Sequence, residues 1–384
     1  MKNNKMLRKI LPAAIVLGMS AQASAALTIY QEGDTSFTTD GLINTFYTFS
    51  DIDKPGTADD REQSRVRMGF LPNILGFNFK KENVDGLTLG ARSSLWVTIN
   101  DTDLNRGAER VGTSTGIDAR QFFGTVDGEF GQILIGKDYG LFGRSNIFAD
   151  ELLLGHGQVS DTYGLVDGGN VAFGNIGSGY LYSFPKAQIT YRSPVASGFQ
   201  LAVGIMDPNK AAADSSEDTP RFETEVTYAT EFDGGSMKAW VNGMTQSSDT
   251  AVTSTDSSGV GYGVNVKAGG VSLTASGFTS EGVGNIAGLD TSIADESNEA
   301  EGYLLQASYS SGANRFVVSY GENEVDLDAL VGADSEYENT AVALFHDVNS
   351  NLKLVAEYNM TEVTSSGAMV EETDTLALGA VLTW

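Results

Sequence analysis

Residues 352–360 read LKLVAEYNM, and their polarity changes side along the run. Leu352, Leu354, Ala356, Tyr358 and Met360 alternate with Lys353, Glu357 and Asn359. A period of two puts the first set on one face of a β-strand and the second on the other. The same rhythm returns in residues 199–205, where Phe199, Leu201, Val203 and Ile205 share a face. Tyr303, Leu305, Ala307 and Tyr309 alternate with Gln306 and Ser308, and Leu376, Leu378, Ala380, Leu382 and Trp384 with Thr375, Gly379 and Thr383. Such segments approach the roughly 9–11 residues that a tilted membrane strand needs.

Outward from these strands, the connections carry a second rhythm. Short turns rich in Gly, Asn and Asp fall at 83–86, 127–129, 196–198, 233–235, 269–270, 311–313 and 348–351. Long polar loops lie between them, at 51–63, 101–115, 139–184, 208–220, 248–258, 282–299, 326–337 and 364–372. Seven turns and eight loops in alternation imply sixteen strands. Short turns at one end and long loops at the other are the asymmetry of a closed antiparallel barrel spanning an outer membrane.

Composition removes other classes. The chain has 384 residues, 50 acidic against 24 basic, for a net charge of -26. That excess excludes a nucleic-acid binder, because phosphate neutralisation needs Lys and Arg. With no cysteine, disulfides and thiolate chemistry are excluded. The 45 glycines follow no three-residue period, so the chain is not collagen-like. At 41% hydrophobic it is too apolar for wholesale disorder, yet past residue 26 it has no apolar run long enough for a membrane helix. Residues 1–25 stand apart: Lys2, Lys5, Arg8 and Lys9, an apolar run over 10–19, then Ala23-Ser24-Ala25. This is the pattern of a secretory signal cleaved after Ala25, leaving 26–384 as the barrel domain.

With no water in the bilayer core, a closed sheet satisfies every backbone group, and its outer side must be apolar while its inner side can be wet. Strand cations test this. Arg65 and Arg67 oppose Val66, Met68 and Phe70; Arg92 opposes Leu87, Leu89, Leu95, Val97 and Ile99; Arg192 opposes Ile189 and Tyr191. Arg315 and Lys267 likewise oppose apolar sets, and Trp96 and Trp240 share inward parity. Placing Arg120 inward puts Gln121 and Thr125 outward, where a neighbouring subunit would have to cover them, while residues 341–346 are apolar on both faces. Alternation alone fits the solvated sheet of a soluble protein as well. The signal, the strand count, the turn–loop rhythm and the terminal aromatic together favour the barrel.

Several stretches resemble one family. Residues 27–51, LTIYQEGDTSFTTDGLINTFYTFSD, are similar to the opening of mature enterobacterial general porins. QSRVRMGF at 63–70 resembles their second strand, ARQFFG and FGQILIGKDYG within 119–140 their fourth and fifth, and ITYRSP and LALGAVLTW their sixth and last. The resemblance implies a homotrimer of sixteen-stranded channels in the outer membrane of a Gram-negative bacterium, each narrowed by an inward-folded third loop, here 139–184. It implies a basic wall facing loop carboxylates. By motif the wall residues are Arg67, Arg120 and Arg192, to which inward parity adds Arg65 and Arg92. Leu42 stands where the family often carries a further Lys. The loop carboxylates are Asp150, Glu151, Asp161 and Asp167; Phe148-Ala149-Asp150-Glu151 is the nearest substitute for the family's Pro-Glu-Phe-Gly-Gly-Asp segment. Arg144 can enter the constriction or pair within the loop. The last strand, ending in Leu382 and Trp384, implies a signal for the outer-membrane assembly machinery, with Trp in place of the usual Phe.

Enzyme chemistry finds no footing. His156 and His346 are the only histidines, with no Ser or Cys motif near either, and they read as loop or surface residues. Asp101, Asp103 and Asn105 mimic a calcium loop but lack its Gly and Glu positions. No cofactor or resident metal is expected. The function implied is passive diffusion of small hydrophilic solutes and ions, with a mild cation preference from the net charge. The surrounding partners are outer-membrane lipid and lipopolysaccharide, whose divalent cations external carboxylates can share. A sugar- or anion-selective porin, a barrel enzyme and a plugged structural barrel are the alternatives.

Overall fold

A computed structural model describes residues 26–100, 117–162, 172–210, 213–251, 254–284, 298–327 and 334–384. The signal segment 1–25, the calcium-like Asp101, Asp103 and Asn105, and Asp167 lie outside the described residues. In chain order the strands are β1 Leu27–Glu32, β2 Thr35–Asp53, β3 Arg61–Arg67, β4 Asn73–Val84, β5 Leu87–Val97, β6 Ile117–Gly128, β7 Gly131–Tyr139, β8 Pro185–Arg192 and β9 Phe199–Met206. They continue as β10 Arg221–Phe232, β11 Gly235–Asp249, β12 Ser254–Ala268, β13 Val271–Glu281, β14 Glu299–Ser311, β15 Asn314–Asp326, β16 Ser335–Asp347, β17 Leu352–Ser365 and β18 Ala368–Thr383. One short helix, α1 (Arg144–Ala149), lies between β7 and β8.

Successive strands pair antiparallel, and β18 pairs with β2 along Leu42 to Asp53, which closes the wall. The eighteen segments make sixteen staves. Both β3 and β4 pair with β2, at Phe46 to Ile52 and at Thr35 to Leu42, so they are halves of one stave. The break falls at Leu71-Pro72, because proline cannot donate to the ladder. Side chains take over there: Asn44 accepts from Gly69 N at 2.6 Å and donates to Leu71 O, while Asn73 and Asn100 accept from Asn44 N and Met68 N. Met68 and Phe70, which alternation placed with Val66 on the outside, leave the strand at this break and are buried. The short β1 pairs with β2 where β18 has ended and continues its line. At that seam Gly41 and Trp384 exchange backbone hydrogen bonds of 3.0 and 3.2 Å. A Cβ on Gly41 would lie 2.1 Å from the Trp384 ring, so the seam requires glycine.

Phe199, Leu201, Val203, Ile205, Tyr303, Leu305, Leu354 and Leu378 all face outward and are exposed, as alternation predicts. The inner face holds Asn242, Thr274, Gln306, Asn339, Asn359 and Thr373, all buried. An apolar exterior around a polar interior inverts a soluble domain, and it fits a sheet with hydrocarbon outside. In the doubly apolar stretch 341–346, Ala341, Ala343 and Phe345 point in while Val342 points out.

Strand β6 corrects one reading. Gln121, Phe123 and Thr125 are buried inside, and Phe122 is 69% exposed outside. An extra residue in β6, opposite the step from Ser94 to Trp96, forms a bulge. The bulge shifts the alternation by one, so Arg120 and Gln121 both reach the interior. All seven short turns stand as read. Two long loops do not: β17 and β18 run on to a two-residue turn at Ser366-Gly367, both at positive φ, and β11 and β12 leave only residues 250–253 between them.

Candidate functional site

The described parts of the third loop, 140–162 and 172–184, fold inside the cylinder, because their backbone is bonded to inward-facing side chains of the far wall. Three carboxylates each accept from two consecutive amides. Glu223 on β10 takes Leu141 N and Phe142 N, the latter at 2.9 Å. Glu357 on β17 takes His156 N at 2.9 Å and Gly157 N at 2.7 Å. Glu371 on β18 takes Asp161 N at 2.7 Å and Thr162 N at 2.8 Å. Such charge-assisted bonds are roughly twice as strong as neutral ones and satisfy loop amides that have no strand partner. Close approach is built in: a Cβ on Gly155 would lie 2.0 Å from Glu357 Oε2. Apolar packing adds to the pins, with Phe142 and Leu181 of the loop buried against Met244, Phe278 and Val325 of the wall. Each such side chain contributes roughly 1.5–3 kcal/mol.

The five expected wall arginines all lie inside. Arg65, Arg67, Arg92 and Arg192 are buried, and Arg120 lies over the Trp96 ring at 4.8 Å with a 2.9 Å bond to Tyr182 Oη. They are not one bare ladder. Arg92 is fastened to Asp40 at 2.7 Å, to Asn78 and to Gln121. Leu42 faces inward, so the missing Lys leaves an apolar spot on the wall.

Of the expected loop carboxylates, Asp150, Glu151 and Asp161 lie among the described residues. Asp150 is enclosed by Tyr180, Asn175 and Gln306, and burial raises its carboxyl above the ordinary value although those hydrogen bonds oppose the shift. Glu151 pairs with Arg315 at 2.9 Å and bonds Ser308. Both therefore turn toward the β14–β15 wall. Asp161 bridges Lys54 at 2.7 Å and Arg61, at the base of the first long loop. His156 is in the loop but not at the surface: it is fully buried beside Phe46. Burial and the nearby Arg67 push its imidazole down to about 3, so it is neutral.

Alternation sets Lys353 and Glu357 on the polar face without a role, and it does not single out Glu223, Glu371 and Lys238. Their inward parity was legible, Lys238 opposing Ala239 and Val241 and Lys353 opposing Leu354, yet nothing in the sequence says which wall meets the loop. These lysines help line a cavity of about 410 Å³ between the third loop and the short-turn end. Arg92, Arg144, Lys267 and Arg315 line it too. The acidic excess of the chain is elsewhere. Glu301, Glu322, Glu324, Glu336, Glu338 and Glu362 share outward parity with Tyr303, Val318, Val342 and Leu354, and sit toward the long-loop ends of their strands.

The comparisons agree with this geometry. The family described as Gram-negative porin matches residues 13–366. The outer membrane channel DcaP of Acinetobacter baumannii is similar in fold, with a TM-score of 0.66 and 14% identity over 93% of this chain and 100% of that one. An anion-selective porin from Comamonas acidovorans has a TM-score of 0.64 and 16% identity over 91% and 100%. Salmonella typhi OmpF, in complex with daunomycin, has a TM-score of 0.59 and 16% identity over 93% and 100%. No curated protein sequence matches the chain. A closed sixteen-stave wall, apolar without and polar within, together with the family match makes this chain a member of the Gram-negative porin family, a multi-pass outer-membrane channel and not an enzyme.

Proposed function

We propose that the barrel is a water-filled channel for passive diffusion of small hydrophilic solutes and ions. The observation that supports this reading is the third loop pinned to the inner wall by Glu223, Glu357 and Glu371, beside a cavity of about 410 Å³. A fixed loop sets an upper size, and wall charges in a low-dielectric enclosure favour polar and charged solutes over apolar ones. The cation preference read from net charge meets a local counterweight, since six outward glutamates lie outside the lumen and the cavity is lined by six Arg and Lys against Asp40, Asp138, Asp150, Glu151 and Asp347. Anion preference replaces it. Purified protein in planar bilayers should open stepwise, and a potassium chloride gradient should give an anion-favouring reversal potential. A cation-favouring potential would refute the charge argument, and silence the channel itself.

The remaining parts belong to the same reading. Residues 1–25 serve as the secretory signal, and the constriction is formed by 139–184. The strand ending in Leu382 and Trp384 is read by the assembly machinery, and its closure on Gly41 gives that strand a folding task as well. Three copies associate, as the family resemblance implies. The outward carboxylates toward the long-loop ends suit lipopolysaccharide bridged by divalent cations.

A further inference from the structure

The cavity beneath the third loop is chemically two-sided. On one arc stand Arg144 of α1, Lys238 of β11 and Lys267 of β12. Among the described residues none of the three has a carboxylate at ion-pair distance. Arg144 lies over the Phe148 ring at 5.1 Å, and Lys238 lies 5.7 Å from the Trp240 ring with a long 3.4 Å contact to Ser145. The carboxylates lining the same space are already engaged: Asp40 by Arg92, Asp138 by Gln121, Asp150 by Tyr180, Glu151 by Arg315 and Asp347 by Lys353. An entering anion therefore finds three cations without an ion-pair partner among the described residues, Glu225 acting on Lys238 only from farther off. The other arc carries Leu42, Leu71, Ile74 and Val381 of the wall and Leu153 and Leu154 of the loop, with the Asp40–Arg92 and Asp347–Lys353 pairs among them. At about 410 Å³ the space is within the range of small-molecule sites, about 300–1,000 Å³.

We propose that this vestibule selects small organic anions with an apolar body, such as aromatic or short-chain carboxylates. The inference rests on the channel reading above and deepens it. The carboxylate is held by Arg144, Lys238 and Lys267 while the hydrocarbon part lies on the leucine arc. A hydrophilic anion uses only the first arc, a neutral apolar solute only the second, and a cation is repelled. Contact on both arcs slows passage, so a selected solute is seen as a blocker of the ionic current.

The test uses purified full-length protein in planar bilayers bathed in potassium chloride. Benzoate is the probe; acetate and benzyl alcohol each carry one of its two features. Benzoate should block the chloride current at concentrations where neither control does. The double variant Lys238→Gln with Lys267→Gln, and separately Leu154→Asn, should each weaken that block by about tenfold, equivalent to ~1.4 kcal/mol. Their chloride steps should persist. Arg144→Gln, on the loop and not on the barrel, gives a third variant that spares strand assembly. Equal effects of benzoate and acetate, or block unchanged in all the variants, would overturn the proposal and leave the channel reading standing. Absence of chloride steps in the unaltered protein would overturn the channel reading instead.

Discussion

Glu357 accepts three bonds, from His156 N, Gly157 N and Asn359 Nδ2, and its carboxylate sits where only a glycine at 155 leaves room. An amide offers one acceptor oxygen where the carboxylate offers two. Glu357→Gln should thus leave one loop amide buried and unsatisfied, at a cost of about 1–3 kcal/mol. The barrel should still assemble, but single-channel records should show frequent closures as the loop shifts. Quiet openings would mean that the pin is redundant. Asp161 is a second residue-scale case. Burial alone would raise its carboxyl, but the hydrogen bonds from Arg61 and Lys54 outweigh that and hold it below the ordinary carboxylate value. Its clamp is then fully formed above the ordinary value and is lost as pH falls through the depressed one. Thermal midpoints of the unaltered protein and Asp161→Asn should differ at neutral pH and converge in acid. A constant difference would show that the ion pairs contribute nothing there. The sequence supplied the acidic residues of the loop but not their partners, because alternation does not record which wall residue meets a loop 100 to 164 positions away.

At the scale of elements, the strands were largely legible and their irregularities were not. Turns and loops count out sixteen staves and period-two runs mark most of them, since each outward residue must match hydrocarbon. A bulge leaves no such trace: Ala119 and Arg120 look like ordinary alternation, and only the pairing of Ser94 with Gln121 and Trp96 with Asp118 exposes the extra residue. Deleting Ala119 should remove the bulge and throw Arg120 to the outer side. A cation there would cost up to about 2–4 kcal/mol at mid-membrane depth. The expected outcome is a lower urea midpoint for unfolding from bilayers, and an unchanged midpoint would contradict the bulge assignment. The last strand gives the matching test at the seam. Gly41→Ala should slow folding into lipid, because a methyl group there meets the Trp384 ring, and Trp384→Ala combined with it should restore part of the rate.

Across the whole molecule, charge is sorted by face. Net charge, legible at once, pointed to cations; the wall puts six glutamates on its outer side, while Arg and Lys line the cavity beside carboxylates that are engaged. A total cannot report such sorting, whereas strand parity can, and it had already placed Arg315 and Lys267 inside. Everything above depends on one wall having hydrocarbon on its outside and water on its inside. The chain has no cysteine, so single cysteines can be read without background. Lys267→Cys on the inner face and Leu354→Cys on the outer face should be compared in proteoliposomes with a charged, membrane-impermeant thiol reagent. The cysteine at 267 should react and alter the conductance, while the one at 354 stays protected until the bilayer is dissolved. Equal and rapid labelling of both positions would contradict a closed barrel in lipid.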